Sequence, residues 1–280
     1  MSNKKFKILK ASGEEQDFSE GKLRNSLHRS GASQSLVDAI VTEMYSYIRE
    51  GITTRQIYDK AFQLLRKRVR SNAARYSLKR AIMELGPTGF PFERLVGEVF
   101  AKHGYTVEVS KTVRGKCVKH EVDVIAQKDN LAVMVECKYH NTQGKICNVH
   151  VPLYIRSRFN DIESVWRSDR QNENMCFEGW VVTNTRFSLD AEEYGICAGL
   201  KLVGWDFPHK GSLKEMVEKA GLLPITVITG LTSKQKQNLL EAGVLLCSEL
   251  CEIPGLLEQL HLDPRKQVKV MEEVRDLCLI

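Results

Sequence analysis

Residues 120–140 read HEVDVIAQKDNLAVMVECKYH, and this stretch decides the fold. Two β-rich runs, Glu121 to Ala126 and Leu131 to Lys138, flank the polar Gln127-Lys128-Asp129-Asn130. An Asp-Asn pair between apolar runs predicts a tight hairpin turn. Residues two apart in a strand share a face, so Glu136 and Lys138 project together while Cys137 turns to the apolar side. Across a turn at Asp129-Asn130, Lys128 faces Leu131, and counting back places Asp123 opposite Glu136.

Two carboxylates at cross-strand distance repel each other unless a cation lies between them. A hard divalent ion with oxygen ligands, Mg²⁺ or Mn²⁺, suits Asp123 and Glu136. It would activate water and stabilise the charge that develops in phosphodiester hydrolysis, with Lys138 beside the attacking water. A strand-end E-x-K alone also fits a solvated edge or a simple ion pair. The upstream Asp123, with Glu93 on a preceding helix, favours the catalytic reading. Glu98, on another face of that helix, is the alternative to Glu93.

Working outward, Phe92 to His103 has helical spacing and stops at Gly104, and Tyr105 to Val109 alternates as a strand. Helix-like Tyr154 to Trp166 follows the hairpin. Then come a strand at Gly179 to Thr183, a helix at Ser188 to Ala198 and a strand at Lys201 to Trp205. The order α-β-β-β-α-β-α-β predicts a mixed sheet with helices on its faces.

Asp123, twelve further residues and then Glu136-Cys137-Lys138 resemble the PD-(D/E)xK nuclease motif. The surroundings resemble the Mrr-like restriction endonuclease branch of that superfamily. GFPFERLVGEVFAKHGYTVEV is similar to its opening helix and strand, HEVDVIA to its second strand, and VVTNTRFSLDAEEYGICAGLKLVGWDFP to its late strand-helix-strand. The resemblance covers residues 88–208. It implies a restriction-endonuclease-like fold, Asp123 and Glu136 as metal ligands, Lys138 as the catalytic lysine, and Glu93 as an additional acid. Val122 stands where the motif has proline, and His120-Glu121 replace its glycine-rich approach.

Other polar residues carry two readings each. Gln143 and Lys145 suit phosphate contacts or a solvated loop. Arg156, Arg158 and Arg167 suit a basic face for a phosphate backbone or a solvated helix. Cys117-x-x-His120 and Cys137-x-x-His140 imitate zinc-ligand spacing, but Cys137 reads as a small buried thiol.

Residues 1–86 are basic and helix-rich, closing at Leu85-Gly86-Pro87-Thr88-Gly89. Phe6 to Lys10 alternates as a strand, Ser19 is an N-cap, and helices are predicted around Val37 to Met44, from Ile52, and over Asn72 to Met83. ILKASGEEQDFSEGKL and AARYSLKRAI resemble the ATP-cone, a regulatory nucleotide-binding domain. The resemblance implies that Lys10 and Lys22 contact phosphates and Leu9 lies by the base of ATP or dATP. Ala11 and Ser12 depart from the family's basic residue and aspartate. No G-x-x-x-x-G-K-[ST] loop is present, so the nucleotide would be an effector rather than fuel.

Residues 212–280 read as helical. LTSKQKQNLLEAGVLLCSEL predicts helix, turn at Gly243, helix, similar to a helix-hairpin-helix DNA-binding module. A helical bundle for oligomerisation is the alternative. The second half, LLEQLHLDPRKQVKVMEEV, repeats the layout with His261 in place of the glycine.

The chain of 280 residues, 42% hydrophobic and 27% charged, suits two or three domains. Its formal charge of +6 is compatible with a polyanionic partner. No run of apolar residues is long enough to span a bilayer, and the start lacks the apolar segment of a signal peptide. Eight scattered cysteines predict reduced thiols and a cytoplasmic protein. The expectation is a multidomain α/β, Mg²⁺- or Mn²⁺-dependent DNA endonuclease under ATP or dATP control, with a restriction or defence role implied by resemblance alone. Two-strand cleavage suggests a homo-oligomer. The alternatives are a nucleotide-responsive DNA-binding regulator that does not cut, and a nuclease for branched DNA or RNA.

Overall fold

The computed structural model describes residues 6–10, 13–142, 144–169, 172 and 174–278; Ala11, Ser12 and Gln143 lie outside them. The elements run β1 (Lys7–Leu9), β2 (Glu15–Asp17), α1 (Glu20–Arg29), α2 (Gln34–Tyr45), β3 (Ile52–Thr53), α3 (Thr54–Arg68), α4 (Arg70–Tyr76) and α5 (Leu78–Met83). Then follow α6 (Phe90–Lys102), β4 (Thr106–Arg114), β5 (Lys119–Lys128), β6 (Leu131–Lys138), β7 (Ile146–Cys147), α7 (His150–Trp166) and β8 (Cys176–Thr183). The chain continues through β9 (Arg186–Phe187), α8 (Leu189–Cys197), β10 (Lys201–Val203) and α9 (Leu213–Lys219), and ends with α10 (Ser233–Glu241), α11 (Cys247–Glu252) and α12 (Pro264–Cys278). Among the described residues no helix is long and apolar enough to cross a membrane.

The chain forms two compact units: residues 82–224 with 239–246, and residues 1–81 with 225–238 and 247–280. The last sequence segment is therefore divided between them.

In the first of these units, five strands form a sheet in the order β10-β8-β6-β5-β4. β4, β5 and β6 are antiparallel neighbours, whereas β6, β8 and β10 run parallel. The hairpin has the register read from the sequence: Lys128 pairs with Leu131 and Val124 with Val135. Asp129 takes φ 50°, a left-handed conformation that Asp tolerates better than most residues. α6 covers one face: Phe100 meets Trp180 edge-on at 5.3 Å, and a Cβ on Gly97 would lie 3.0 Å from Val109. α7 and α8 cover the other, where Ile155, Phe159, Ile162 and Ala191 pack with Ile125, Met134, Val181 and Leu202. A small parallel pair, β7 with β9, was not legible in the sequence because each strand is only a dipeptide.

In the second unit, β2, β1 and β3 form a sheet beside helices that bury Leu27, Val37, Ile40, Met44, Leu64 and Leu65. Ser19 caps α1 as expected. Ile52, by contrast, does not open a helix: it pairs with Ile8 in β1, and α3 starts two residues later, at Thr54, behind a Thr53–Gln56 capping box. The continuous helix predicted over Asn72 to Met83 breaks at Ser77, whose hydroxyl donates to Ala74 O at 2.8 Å and competes with the helical ladder. Gly243, in the first unit, has φ 84° and His261, in the second, φ 46°, so the histidine holds a left-handed position where the sequence pattern wants glycine. On α12 the buried Glu273 accepts from Thr229 N at 2.6 Å and Gly230 N at 3.1 Å. Cys251 and Cys278 are joined as a disulfide, correcting the expectation that all thiols are free. Both sit where α11 packs on α12, a proximity that their separation of 27 residues hides in the sequence. The remaining six cysteines are free.

Gly179 sets how closely α7 approaches the sheet, since a Cβ there would lie 2.3 Å from Phe159 Cδ2 and 2.9 Å from Leu200. Gly179→Ala is therefore expected to destabilise the protein by about 1–3 kcal/mol. Urea unfolding followed by tryptophan fluorescence would measure it, and an unchanged midpoint would contradict the packing.

Candidate active site

The site forms where β5 and β6 part. Their antiparallel pairing ends at Val124 with Val135, yet β6 continues alongside β8 as far as Lys138 with Thr183. One step beyond the last pair, Asp123 and Glu136 occupy the mouth of this fork. Cys137 N donates to Asp123 Oδ2 at 2.7 Å, so a side chain replaces the missing backbone partner of the ladder.

Glu136 is buried, at 5% exposure, and both its oxygens meet cations. Lys138 Nζ lies 2.5 Å from Oε1 and Arg158 Nη1 lies 2.7 Å from Oε2. Arg158 also donates through Nη2 to Glu121 O and sits over the Tyr154 ring, 5.6 Å from its centroid. Burial lowers the affinity of Lys138 for its proton, but the hydrogen bond and charge of Glu136, with the charge of Asp123, outweigh this and raise its pKa.

Asp123 has no cationic partner of its own among the described residues. Burial first, and repulsion from Glu136 second, push its carboxyl up to about 7, against the lowering effect of the Cys137 N–H. Glu93, in the first turn of α6, accepts from Ser110 Oγ at 3.1 Å. Burial raises its pKa, as does repulsion from Glu121 and Glu136, while Ser110 and Lys138 oppose. The structure thus brings Glu93, Asp123, Glu136 and Lys138 into one electrostatically coupled group.

Buried polar residues at the end of β8 and just beyond it hold the far end of the motif. Thr183 Oγ1 donates to Lys138 O at 2.7 Å. Asn184 takes His140 N at 2.9 Å and gives its amide to His140 O at 2.7 Å. The sequence reading passed over Thr183 and Asn184; the signal was a Thr-Asn-Thr run ending an apolar strand. The sequence leaves Arg158 on an exposed helix face, either basic for a phosphate backbone or merely solvated, whereas the structure turns it inward to Glu136. Arg158 flanks the stripe of Ile155, Phe159 and Ile162 buried by α7, which is the helical spacing that could have revealed it. Arg167 pairs with Glu163 at 2.6 Å, and Lys145 is exposed.

The zinc-like spacing does not make a site. His120 Nε2 is 2.8 Å from Asp161 Oδ2, Cys117 is exposed and Cys137 buried. Among the described residues no three His, Cys, Asp or Glu side chains are gathered to cage an ion. What the fork offers is a pair of oxygen donors. Mg²⁺ keeps several waters and commonly uses one or two carboxylates, so it fits this donor set better than a fully caged ion does. In the other unit, Leu9 is half-buried at the end of β1, and Lys22 is exposed on α1. Lys10 Nζ lies 3.1 Å from Glu14 Oε2. No hydrogen bond links the three among the described residues.

A family model described as "Restriction endonuclease" matches residues 87–206, and one described as "AF1548-like, C-terminal" matches residues 223–278. Residues 87–206 are thus similar to a restriction endonuclease domain, and residues 223–278 to an AF1548-like C-terminal domain. An uncharacterized protein of Archaeoglobus fulgidus is 29% identical over 181 residues, 64% of this chain and 98% of that protein. The crystal structure of AF1548, a protein of unknown function, matches with a TM-score of 0.54 and 28% identity, over 68% of this chain and 98% of that one. MspJI restriction endonuclease in complex with a 27-mer oligonucleotide gives a TM-score of 0.27 and 14% identity, over 53% of this chain and 35% of that one.

Because the folded-state pKa of Asp123 is raised, ionisation opposes folding. The penalty is absent below the ordinary carboxylate range, grows as pH rises, and is complete above about 7. In metal-free buffer, Asp123→Asn is expected to raise the melting temperature, and by more at pH 8 than at pH 5; a larger gain at pH 5 would contradict this. Arg158→Met leaves one oxygen of buried Glu136 unpaired and is expected to cost about 2–4 kcal/mol. Adding Glu136→Gln should recover part of that loss in a double-mutant cycle of unfolding free energies.

Proposed function

We propose that the protein is a metal-dependent DNA endonuclease that hydrolyses phosphodiester bonds at the β5–β6 fork. The observation that carries this reading is the coupled set of Asp123, Glu136 and Lys138 at the parting of two strands, within a restriction-endonuclease-like domain. Asp123 and Glu136 would hold Mg²⁺ or Mn²⁺, which when bound supplies Lewis acidity for a phosphoryl oxygen and for water. Lys138 has an ammonium that is half-exposed at the fork and anchored by Glu136. It would orient the attacking water by donating to it and offset the negative charge developing on the phosphoryl oxygens. Glu93 would complete the acidic wall on the α6 side. Arg158 holds Glu136 in place and keeps its second oxygen from straying.

The nucleotide effector is the second element of the proposal. Lys10, just past the end of β1, and Lys22, in the first turn of α1, would supply cations for the phosphates of ATP or dATP, with Leu9 beside the base. The Lys10–Glu14 ion pair would open on binding.

Supercoiled plasmid incubated with Mg²⁺ or Mn²⁺ is expected to be nicked or linearised by the wild-type protein. Lys138→Ala is expected to be slower by about 100-fold or more. ATP or dATP should change the wild-type rate, and Lys10→Ala/Lys22→Ala should lose that response. If both proteins bind the plasmid equally and neither cuts it with either metal, the non-cleaving DNA-binding regulator becomes the better reading.

A further inference from the structure

The β4–β5 hairpin ends in Arg114-Gly115-Lys116-Cys117-Val118-Lys119. Arg114 and Lys119 are direct partners across the ladder, and like charges in that position are destabilising. Lys116 adds a further cation in the turn. All three side chains are exposed, and among the described residues none has a carboxylate within ion-pair distance. Val118 stands between them at the tip, 55% exposed.

A tip so unfavourably charged would be expected to fray, yet it is held firmly. Asp161 on α7 accepts from Cys117 N at 2.8 Å and Val118 N at 3.3 Å, and it also meets His120 Nε2 at 2.8 Å and the Cys117 thiol. The Asp161 main-chain oxygen accepts from Lys116 N at 3.0 Å, and Gly115 N donates to Val118 O at 2.8 Å. The bonds that its side chain accepts from His120, Cys117 and Val118 hold the Asp161 carboxyl well below the usual carboxylate range, the His120 hydrogen bond contributing most. Any side chain at Gly115 would collide with the carboxylate, since a Cβ there would lie 2.1 Å from Asp161 Oδ2. The turn is thus pre-organised before any partner arrives, which lowers the ordering cost of binding. The Asp161 carboxylate is thus spent on main-chain amides, a histidine and the Cys117 thiol, and does not pair with the exposed cations.

Position supplies the partner. Lys119 lies four residues from Asp123 along β5, roughly 13 Å at about 3.3 Å per residue. That is close to four base-pair rises of duplex DNA at about 3.4 Å each. Asp161 and Arg158 lie three residues apart on α7 and so on one face of it; the first anchors the tip, the second holds Glu136. We propose that this hairpin tip is a rigid arm that binds the DNA phosphate backbone flanking the cleaved bond, through Arg114, Lys116 and Lys119. The proposal rests on the nuclease reading of the fork.

The test is equilibrium binding of full-length protein to a 30-base-pair duplex in EDTA, followed by fluorescence anisotropy between 50 and 200 mM salt, so that no cleavage is required. Removing one phosphate-binding cation should reduce the slope of log K against log salt by about 0.9. Arg114→Ser/Lys116→Ser/Lys119→Ser is expected to reduce it by about 2–3 and to weaken low-salt binding at least tenfold. Lys102→Ser/Lys201→Ser/Lys210→Ser removes equal charge from exposed positions elsewhere on the same unit and should leave the slope nearly unchanged. Asp161→Asn should weaken binding while keeping the slope, and should speed hydrogen exchange at the Cys117 and Val118 amides. Unchanged binding by the tip variant, or equal losses in both triple variants, overturns the arm while leaving the nuclease reading intact. Absence of duplex binding by the wild-type protein, together with absence of plasmid cleavage, overturns both.

Discussion

The repulsion between Asp123 and Glu136 across the mouth of the fork is the constraint on which the rest of the site depends. A buried carboxylate pair is costly unless cations or protons compensate it. The fold compensates the two acids unequally. Glu136 receives Lys138 on one oxygen and Arg158 on the other. Asp123 receives a main-chain N–H from Cys137, and its carboxyl is pushed up to about 7. One acid is satisfied by the protein, and the other is left short of positive charge. That asymmetry suits the exchangeable cation proposed for the fork.

The surrounding architecture serves this arrangement. The fork exists because β6 keeps its parallel partner β8 after losing β5, so Glu136 and Lys138 stay in an ordered strand while Asp123, still in β5 beside β4, turns its carboxylate to the Cys137 N–H. Thr183 and Asn184 then fix the chain just past Lys138. On the opposite side, α7 is drawn against the sheet at Gly179, close enough for Arg158 to reach Glu136 and for Asp161 to clamp the β4–β5 tip. Ordinary core packing of Ile155, Phe159 and Ile162 thereby sets the aim of the charged residues beside them.

Much of the restriction-endonuclease-like domain was legible in the sequence, because period-two alternation and the Asp129-Asn130 turn leave few registers open. The convergence of Asp123, Glu136 and Lys138 follows from that register alone. Arg158 was misplaced because a helix periodicity tells which residues flank the buried stripe but not which of them bends inward toward a buried charge. Thr183 and Asn184 were missed because their partners are main-chain atoms of residues more than forty positions away. Ile52 looked helical because Thr53 and Gln56 cap the next helix, and only the distant Ile8 makes it a strand. The Cys251–Cys278 bond was hidden for the same reason: it depends on how α11 meets α12.

The central claim is that the fork is a divalent-cation site. Free Mn²⁺ measured by electron paramagnetic resonance during titration of the protein, without DNA, tests it most directly. Saturable loss of the free-ion signal in the wild-type protein, abolished by Asp123→Asn and by Glu136→Gln in folded variants, is the predicted result. Equal Mn²⁺ uptake by wild type and both variants, or none by any of them up to millimolar metal, would contradict it.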